Sequence, residues 1–210
     1  MLYYVSKFLV YIFFKLFVGF NVEGAENVPQ KGGFILAPNH VSYMDPPVVG
    51  TACPRRVYFM AKVELFKVPI LSQWMKGVGT IPLKHGAGDR GSFKKAVELL
   101  KNGECVCIFP EGMRVPPGKV KEAEPGIAFL AKIADVPVVP AAILGTQPWY
   151  RKFFGFIPWF HPLKVRFGKP IKFDFEKLFE KERDKNKVFQ EIAEQVLAEI
   201  RKLKSIDNVQ

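Results

Sequence analysis

"GFILAPNHVSYMDPP", residues 33–47, decides how this chain is read. Its first five residues are an apolar run closed by Pro38, the pattern of a buried strand ended by a residue with no N–H to donate. Next come His40 and Asp45, five positions apart, with Pro46 directly beyond. On a regular helix five residues turn through 500°, which leaves the two side chains roughly 140° apart. They can meet only across a turn, and the flanking prolines favour one. If they meet, the carboxylate would fix the imidazole tautomer and stabilise the imidazolium formed when the histidine takes a proton. Composition alone puts an aspartate at this spacing about one time in twenty. An Asp45 that caps the next helix, with His40 satisfying the turn, explains the pair equally until other segments are considered.

Outward from this stretch, short apolar strands alternate with helices. "RVYFMA" (56–61), "CVCIF" (105–109) and "VPVVPAAIL" (136–144) read as strands. "DRGSFKKAVELLKNGE" spaces Phe93, Ala96, Val97 and Leu100 as a helix does, with Gly103 as its stop. "EPGIAFLAKIAD" reads as a helix opened by Pro125, and residues 184–204 put Phe189, Ile192, Val196, Ile200 and Leu203 on one helical face. "LKVRFGKPIKF" reads as a late strand pair or bent edge strand, interrupted by Gly168 and Pro170. The pattern predicts an α/β fold: a central mixed, partly parallel sheet flanked by helices. No internal repeat or low-complexity linker divides the 210 residues. The expected organisation is an N-terminal membrane-associating helical segment, 1–22, followed by one α/β domain, 23–210.

That first segment, "MLYYVSKFLVYIFFKLFVGF", is apolar but carries Lys7 and Lys15 inside the run and offers no small-residue cleavage site. Two lysines cut it short of a spanning helix. Tyr3, Tyr4, Lys7, Tyr11 and Lys15 gather on one side of a helix, a stripe that predicts an amphipathic helix in the membrane interface with its lysines exposed. Burial against the protein's own core is the competing reading. "LFKVPILSQWMKG" (65–77) and "PWYRKFFGFIPWFHPL" (148–163) also place aromatic residues beside cations, as at the headgroup level of a bilayer. No nucleic-acid-binding motif accompanies them.

The net charge of +11 favours anionic partners. Cys53, Cys105 and Cys107 cannot all pair with one another and have no zinc spacing, so a reducing cytoplasmic setting is expected, with no metal. After the strand "CVCIF" comes "FPEGMR" (109–114), which sets Glu111 and Arg114 at a second strand end. Adjacent strand ends in an open α/β sheet form the crevice where ligands bind. Arg114 offers a planar fork for phosphate oxygens, and Gly112 allows close backbone approach. Taken singly, Glu111 and Arg114 read as a surface ion pair.

Taken together and in order, these segments resemble the glycerolipid acyltransferase family, and within it the 1-acyl-sn-glycerol-3-phosphate acyltransferases. "NHVSYMD" is similar to the first motif, with Asn39 and Ser42 beside His40 and Asp45. "FPEGMR" resembles the third motif, with Met113 in place of the common Thr. "VPVVP" resembles the fourth. "AKVELFKVP" is similar to an intervening family segment and points at Lys62. The second motif departs: six positions after Gly79, where an arginine is common, stands His85, with Lys84 before it and Arg90 the nearest arginine.

The resemblance implies direct acyl transfer. His40, oriented by Asp45, would take the proton from the free glycerol hydroxyl of lysophosphatidic acid as it attacks an acyl thioester. The product would be phosphatidic acid, for phospholipid synthesis. The donor would be an acyl carrier protein thioester or acyl-CoA as co-substrate, with no further cofactor. Glu111, with Gly112, would position the glycerol portion, and Arg114 with Lys84 or Arg90 would bind phosphate; Lys62 joins them as a substrate-binding candidate. Asn39, Ser42 and Pro110 would support the site, Ser42 through a hydrogen bond in the turn. Membrane lipids are the remaining expected partner, at the cytoplasmic face of the cell membrane, with monotopic or peripheral attachment. Glycerol-3-phosphate or another lysolipid is the alternative acceptor. A non-catalytic peripheral protein that binds anionic lipid, and a hydrolase with Ser42 as nucleophile, are the alternatives of other classes.

Overall fold

A computed structural model describes residues 1–84, 89–116, 121–146 and 162–206. Seven strands form one sheet in the order β1-β7-β6-β2-β5-β3-β4. They are β1 (Phe20–Glu23), β2 (Phe34–Pro38), β3 (Val57–Lys62), β4 (Ile81–Leu83), β5 (Cys105–Cys107), β6 (Val138–Leu144) and β7 (Leu163–Phe167). β6, β2, β5, β3 and β4 run parallel, while β7 pairs antiparallel with β6 and parallel with β1. The sheet is therefore mixed, as the alternating pattern predicts. "LKVRF" is not an edge: it lies between β1 and β6, and β1, an element the apolar N-terminal pattern concealed, takes the edge. The chain reaches that edge at Phe20, just after the first helix ends at Phe17, so β1 straddles residue 22.

Central strands are buried on both faces because helices cover both. Phe34 and Leu36 of β2 join one core, together with Phe14 and Val18 near the N-terminus and Val48 and Val49 of the helix after β2. Ile35 and Ala37, pointing the other way, join a second core with Ala96, Leu100, Ile127, Leu130, Val196 and Ile200. The helices are α1 (Leu2–Phe17), α2 (Asp45–Ala52), α3 (Pro69–Val78), α4 (Arg90–Lys101), α5 (Gly126–Ala134), α6 (Phe175–Lys181) and α7 (Lys185–Ser205). α1 and α2 thus lie on one side of the sheet, with α4, α5 and α7 on the other. Asp89 caps α4 by accepting from Ser92 N–H at 3.1 Å. All three cysteines are free and buried, and no described residues form a metal-ligand cluster.

α1 divides the expected polar stripe: Tyr3 and Lys7 turn inward, while Tyr4, Tyr11 and Lys15 are exposed. Tyr3, Lys7, Val10 and Phe14, at i, i+4, i+7 and i+11, face the protein: Tyr3 and Phe14 are buried, and the Lys7 ammonium donates to the Cys53 carbonyl. Burial pushes the Lys7 amine below its ordinary range. The outward face is made of Leu2, Val5, Phe8, Leu9, Ile12, Phe13 and Leu16, with Phe8, Leu9 and Leu16 each more than 60% exposed. Lys7 turned inward because its hydrogen bond compensates its desolvation, whereas Lys15 stays exposed. Beside α1, α3 exposes Ile70 and Trp74, and the Trp74 indole donates to Ser6 Oγ at 3.1 Å. At 16 residues α1 is about 24 Å long. No described helix is long and apolar enough to cross a membrane. Of the second aromatic segment, 148–161 lies outside the described residues.

Candidate active site

The parallel strands bring their carboxyl ends to one edge, and each predicted site residue lies at or just beyond such an end. Pro38 ends β2 without an N–H to continue its ladder with β6. Asn39 takes over: its amide donates to the Ile143 carbonyl at 3.1 Å, and its oxygen accepts from Ile143 N–H at 2.7 Å. This buried pair fixes where the strand releases the chain, and so where His40 begins.

The turn then folds Asp45 back onto His40. Oδ2 of Asp45 accepts from Val41 N–H at 2.6 Å and Ser42 N–H at 2.7 Å, and lies 2.8 Å from His40 Nδ1. Pro46 and Pro47 follow in the first turn of α2, where a missing N–H costs nothing. Asp45 is fully buried at the first position of that helix. With Nδ1–H held by the carboxylate, the neutral imidazole has its lone pair on Nε2, free to accept a proton. Ser42 Oγ accepts from Met44 N–H at 3.2 Å, a bond within the turn that leaves Asp45 as the residue aimed at His40.

The loop after β5 grips His40 at three points. Phe109 stacks on the imidazole, with ring centroids 4.0 Å apart and planes 22° from parallel. Val115 N–H donates to the His40 carbonyl at 2.8 Å. Glu111 Oε2 accepts from His40 N–H at 2.6 Å. Glu111 is buried, and desolvation pushes its carboxyl above the ordinary range. Sequence reasoning placed this carboxylate on the glycerol portion of a substrate, whereas the structure places one of its oxygens on the backbone of the histidine. Pro110 supports the same loop, its carbonyl accepting from Glu124 N–H at 2.7 Å. Gly112 adopts φ +65°, and a Cβ there would come 2.7 Å from Glu124 Cγ.

Glu111→Ala leaves the His40 N–H without its acceptor, a cost of about 1–3 kcal/mol. The expected result is a roughly 10- to 100-fold loss of kcat with KM little changed, while Glu111→Gln, which keeps an acceptor oxygen, retains most activity. Steady-state kinetics of both variants checks this.

His40 opens onto a groove of about 2830 Å³, several-fold larger than a pocket for a drug-sized ligand. Lys62, Lys84, Arg90 and Arg114 line it with His40. Arg114 Nη2 donates to the Tyr43 hydroxyl at 2.8 Å, and its guanidinium carbon sits 3.5 Å from the Tyr43 ring centroid. Lys84 and Arg90 are exposed on either side of Asp89, which also accepts from Lys84 N–H at 2.7 Å. His85 lies outside the described residues. Two groove residues escaped sequence reasoning. Tyr43, which carries Arg114, lies inside the first motif but at one of its variable positions. Lys121 donates to the Glu111 carbonyl at 2.7 Å and to Glu124 at 2.9 Å, seven residues beyond the motif it supports and with no local signal.

Known proteins resemble this chain over the same stretch. A family model described as Acyltransferase matches residues 19–144, which include both motifs that meet at His40. A 1-acyl-sn-glycerol-3-phosphate acyltransferase of Bacillus subtilis is 30% identical over 167 residues, 79% of this chain and 80% of that protein. The human alpha enzyme of that name is 32% identical over 150 residues, 69% of this chain and 53% of its own length. Among solved structures, the 1-acyl-sn-glycerophosphate (LPA) acyltransferase of Thermotoga maritima superimposes with a TM-score of 0.65 at 29% identity, covering 93% of this chain and 79% of that one. With a family model over more than half its length and relatives across most of it, the chain belongs to the acyltransferase family and is an acyl-transferring enzyme.

Proposed function

We propose that the enzyme acylates the free glycerol hydroxyl of 1-acyl-sn-glycerol-3-phosphate, giving phosphatidic acid for phospholipid synthesis at a membrane surface. The observation that carries this reading is a histidine, held by a buried carboxylate, that opens onto a large groove whose lining includes Lys62, Lys84, Arg90 and Arg114. The names of the relatives from Bacillus subtilis and Thermotoga maritima support the same acceptor.

His40 Nε2 takes the hydroxyl proton as the oxygen attacks the thioester carbonyl, and Asp45 stabilises the imidazolium. The new C–O bond forms as the C–S bond breaks, and the departing thiolate recovers the proton from His40. No acyl-enzyme is needed, so Ser42 keeps its place in the turn. Arg114, braced on Tyr43, pairs with the acceptor phosphate, with Lys84, Arg90 and Lys62 within the same groove. Glu111 acts through the His40 backbone and positions the base. The acyl donor is an acyl carrier protein thioester or acyl-CoA, and the exposed face of α1 holds the enzyme on the cytoplasmic leaflet, where acceptor and product reside.

Removing Arg114 removes charge-assisted hydrogen bonds worth about 1.5–3 kcal/mol. Arg114→Ala is expected to raise KM for a phosphorylated acceptor roughly 10- to 100-fold while kcat changes less, and steady-state kinetics over a range of acceptor concentrations tests it. The acceptor assignment is tested by comparing kcat/KM for lysophosphatidate, glycerol-3-phosphate and lysophosphatidylcholine. Preference for lysophosphatidate is the expected result, and a clear preference for glycerol-3-phosphate would replace the acceptor named here.

A further inference from the structure

α1 presents two faces with different tasks. Outward it shows the apolar row from Leu2 to Leu16, and inward it is bonded to α2, the helix whose first residue is Asp45. Tyr3 bridges: its hydroxyl accepts from Val57 N–H at 3.0 Å and lies 3.4 Å from the Gly50 carbonyl. Lys7 donates to the carbonyl of Cys53, which caps the C-terminus of α2. Helix C-termini leave carbonyls without intrahelical partners and carry partial negative charge, so a desolvated ammonium there is well placed. Tyr3, Ser6, Lys7 and Val10 also form part of the groove wall that His40 lines.

α2 has only eight residues, about 12 Å. One end holds the carboxylate that orients the base, and the other is tied to α1, which among the described helices shows the most exposed apolar side chains. A short, buried helix moves as a unit, so whatever fixes α1 also fixes the seat of Asp45.

Resting on the membrane-surface reading above, we infer that Lys7 and Tyr3 are positioning residues that couple the seating of α1 in lipid to the alignment of the His40–Asp45 pair. Lipid contact holds α1 in one pose, Lys7 and Tyr3 pass that constraint to α2, and turnover rises even for substrates that are not in the bilayer. Lys7 is thus a hook inside the protein rather than a contact to headgroups.

The test uses the full chain with water-soluble substrates, hexanoyl-CoA and a lysophosphatidate with a six-carbon chain. Turnover is measured with and without vesicles of phosphatidylethanolamine and phosphatidylglycerol. For the unmodified enzyme, vesicles are expected to raise kcat tenfold or more. Lys7→Met is expected to co-sediment with vesicles as the parent does, yet to show less than twofold stimulation, with Lys7→Arg restoring most of the response. Tyr3→Phe keeps the ring and removes only the bridging hydroxyl; a reduced stimulation ratio is expected there too, and it serves if Lys7→Met does not fold. A stimulation ratio in Lys7→Met, or in Tyr3→Phe where that variant stands in, equal to that of the parent overturns the inference. So does a parent enzyme that transfers acyl groups without responding to vesicles, a result that leaves the proposed reaction intact. No transfer by the parent under any condition counts against the reaction itself.

Discussion

His40→Ala is expected to lower kcat by roughly 10²–10⁴-fold, the range that a positioned general base contributes. The fold should survive, because the imidazole lines the groove and makes its one side-chain hydrogen bond to Asp45. Vesicle binding should be unchanged, since α1 contacts α2 further along the chain. Asp45 supplies a graded comparison. Asp45→Asn can keep an acceptor oxygen where Val41 N–H, Ser42 N–H and His40 Nδ1 converge, but it loses the charge that stabilises the imidazolium. A charge-assisted hydrogen bond is worth about 1.5–3 kcal/mol, so a loss of roughly 10–10² in kcat is expected. Asp45→Ala also strands two N–H groups and should cost stability as well as rate. Rates from initial velocities, with melting temperatures measured alongside, separate the two effects. A His40→Ala enzyme that retains more than a tenth of the parent rate would show that another group takes the proton.

The second large effect concerns α1. Replacing Phe8, Leu9 and Leu16 together by aspartate is expected to weaken vesicle binding more than 100-fold. At about 1.5 kcal/mol for each large apolar side chain withdrawn from lipid, the loss is about 4.5 kcal/mol, or roughly 10³-fold. All three are exposed in the protein alone, so thermal stability should shift little. Vesicle co-sedimentation and a melting curve on the same sample check both halves. Binding by the triple variant within threefold of the parent would move the membrane contact to α3, where Ile70 and Trp74 are exposed. Deleting residues 1–22 is a poorer test: it strips the buried Phe14 and Val18 from the core and most of β1 from the sheet edge, so lost binding and lost folding would coincide.

The layered α/β fold was legible because its signals are local: an apolar run closed by Pro38, a helix stopped by Gly103, and helical spacing in residues 184–204. The His40–Asp45 pair was legible for the opposite reason, since its spacing fits no regular helix and demands the turn that the prolines permit. Contacts across many residues left no local trace. Nothing in "FPEGMR" says that Glu111 reaches the backbone N–H of His40, 71 positions away. Nothing in the first seventeen residues says which side of α1 meets the sheet. Periodicity groups Tyr3 with Lys7, but the carbonyls of Gly50 and Cys53, supplied by α2, decide that this side turns inward. β1 escaped because "FNVE" alternates apolar and polar over only four residues, too few to stand out beside the apolar helix before it, and it is defined as a strand by pairing with β7.

The central claim is direct transfer from a thioester to a lysophosphatidate hydroxyl, with His40 as base. Its most direct measurement is a stoichiometry: purified enzyme, acyl-labelled thioester and lysophosphatidate, with phosphatidate, free thiol and free fatty acid quantified over time. The predicted result is one phosphatidate per thiol released, with both formed at least about 10²-fold more slowly by His40→Ala. Free fatty acid in place of phosphatidate, or label trapped on Ser42, would contradict it.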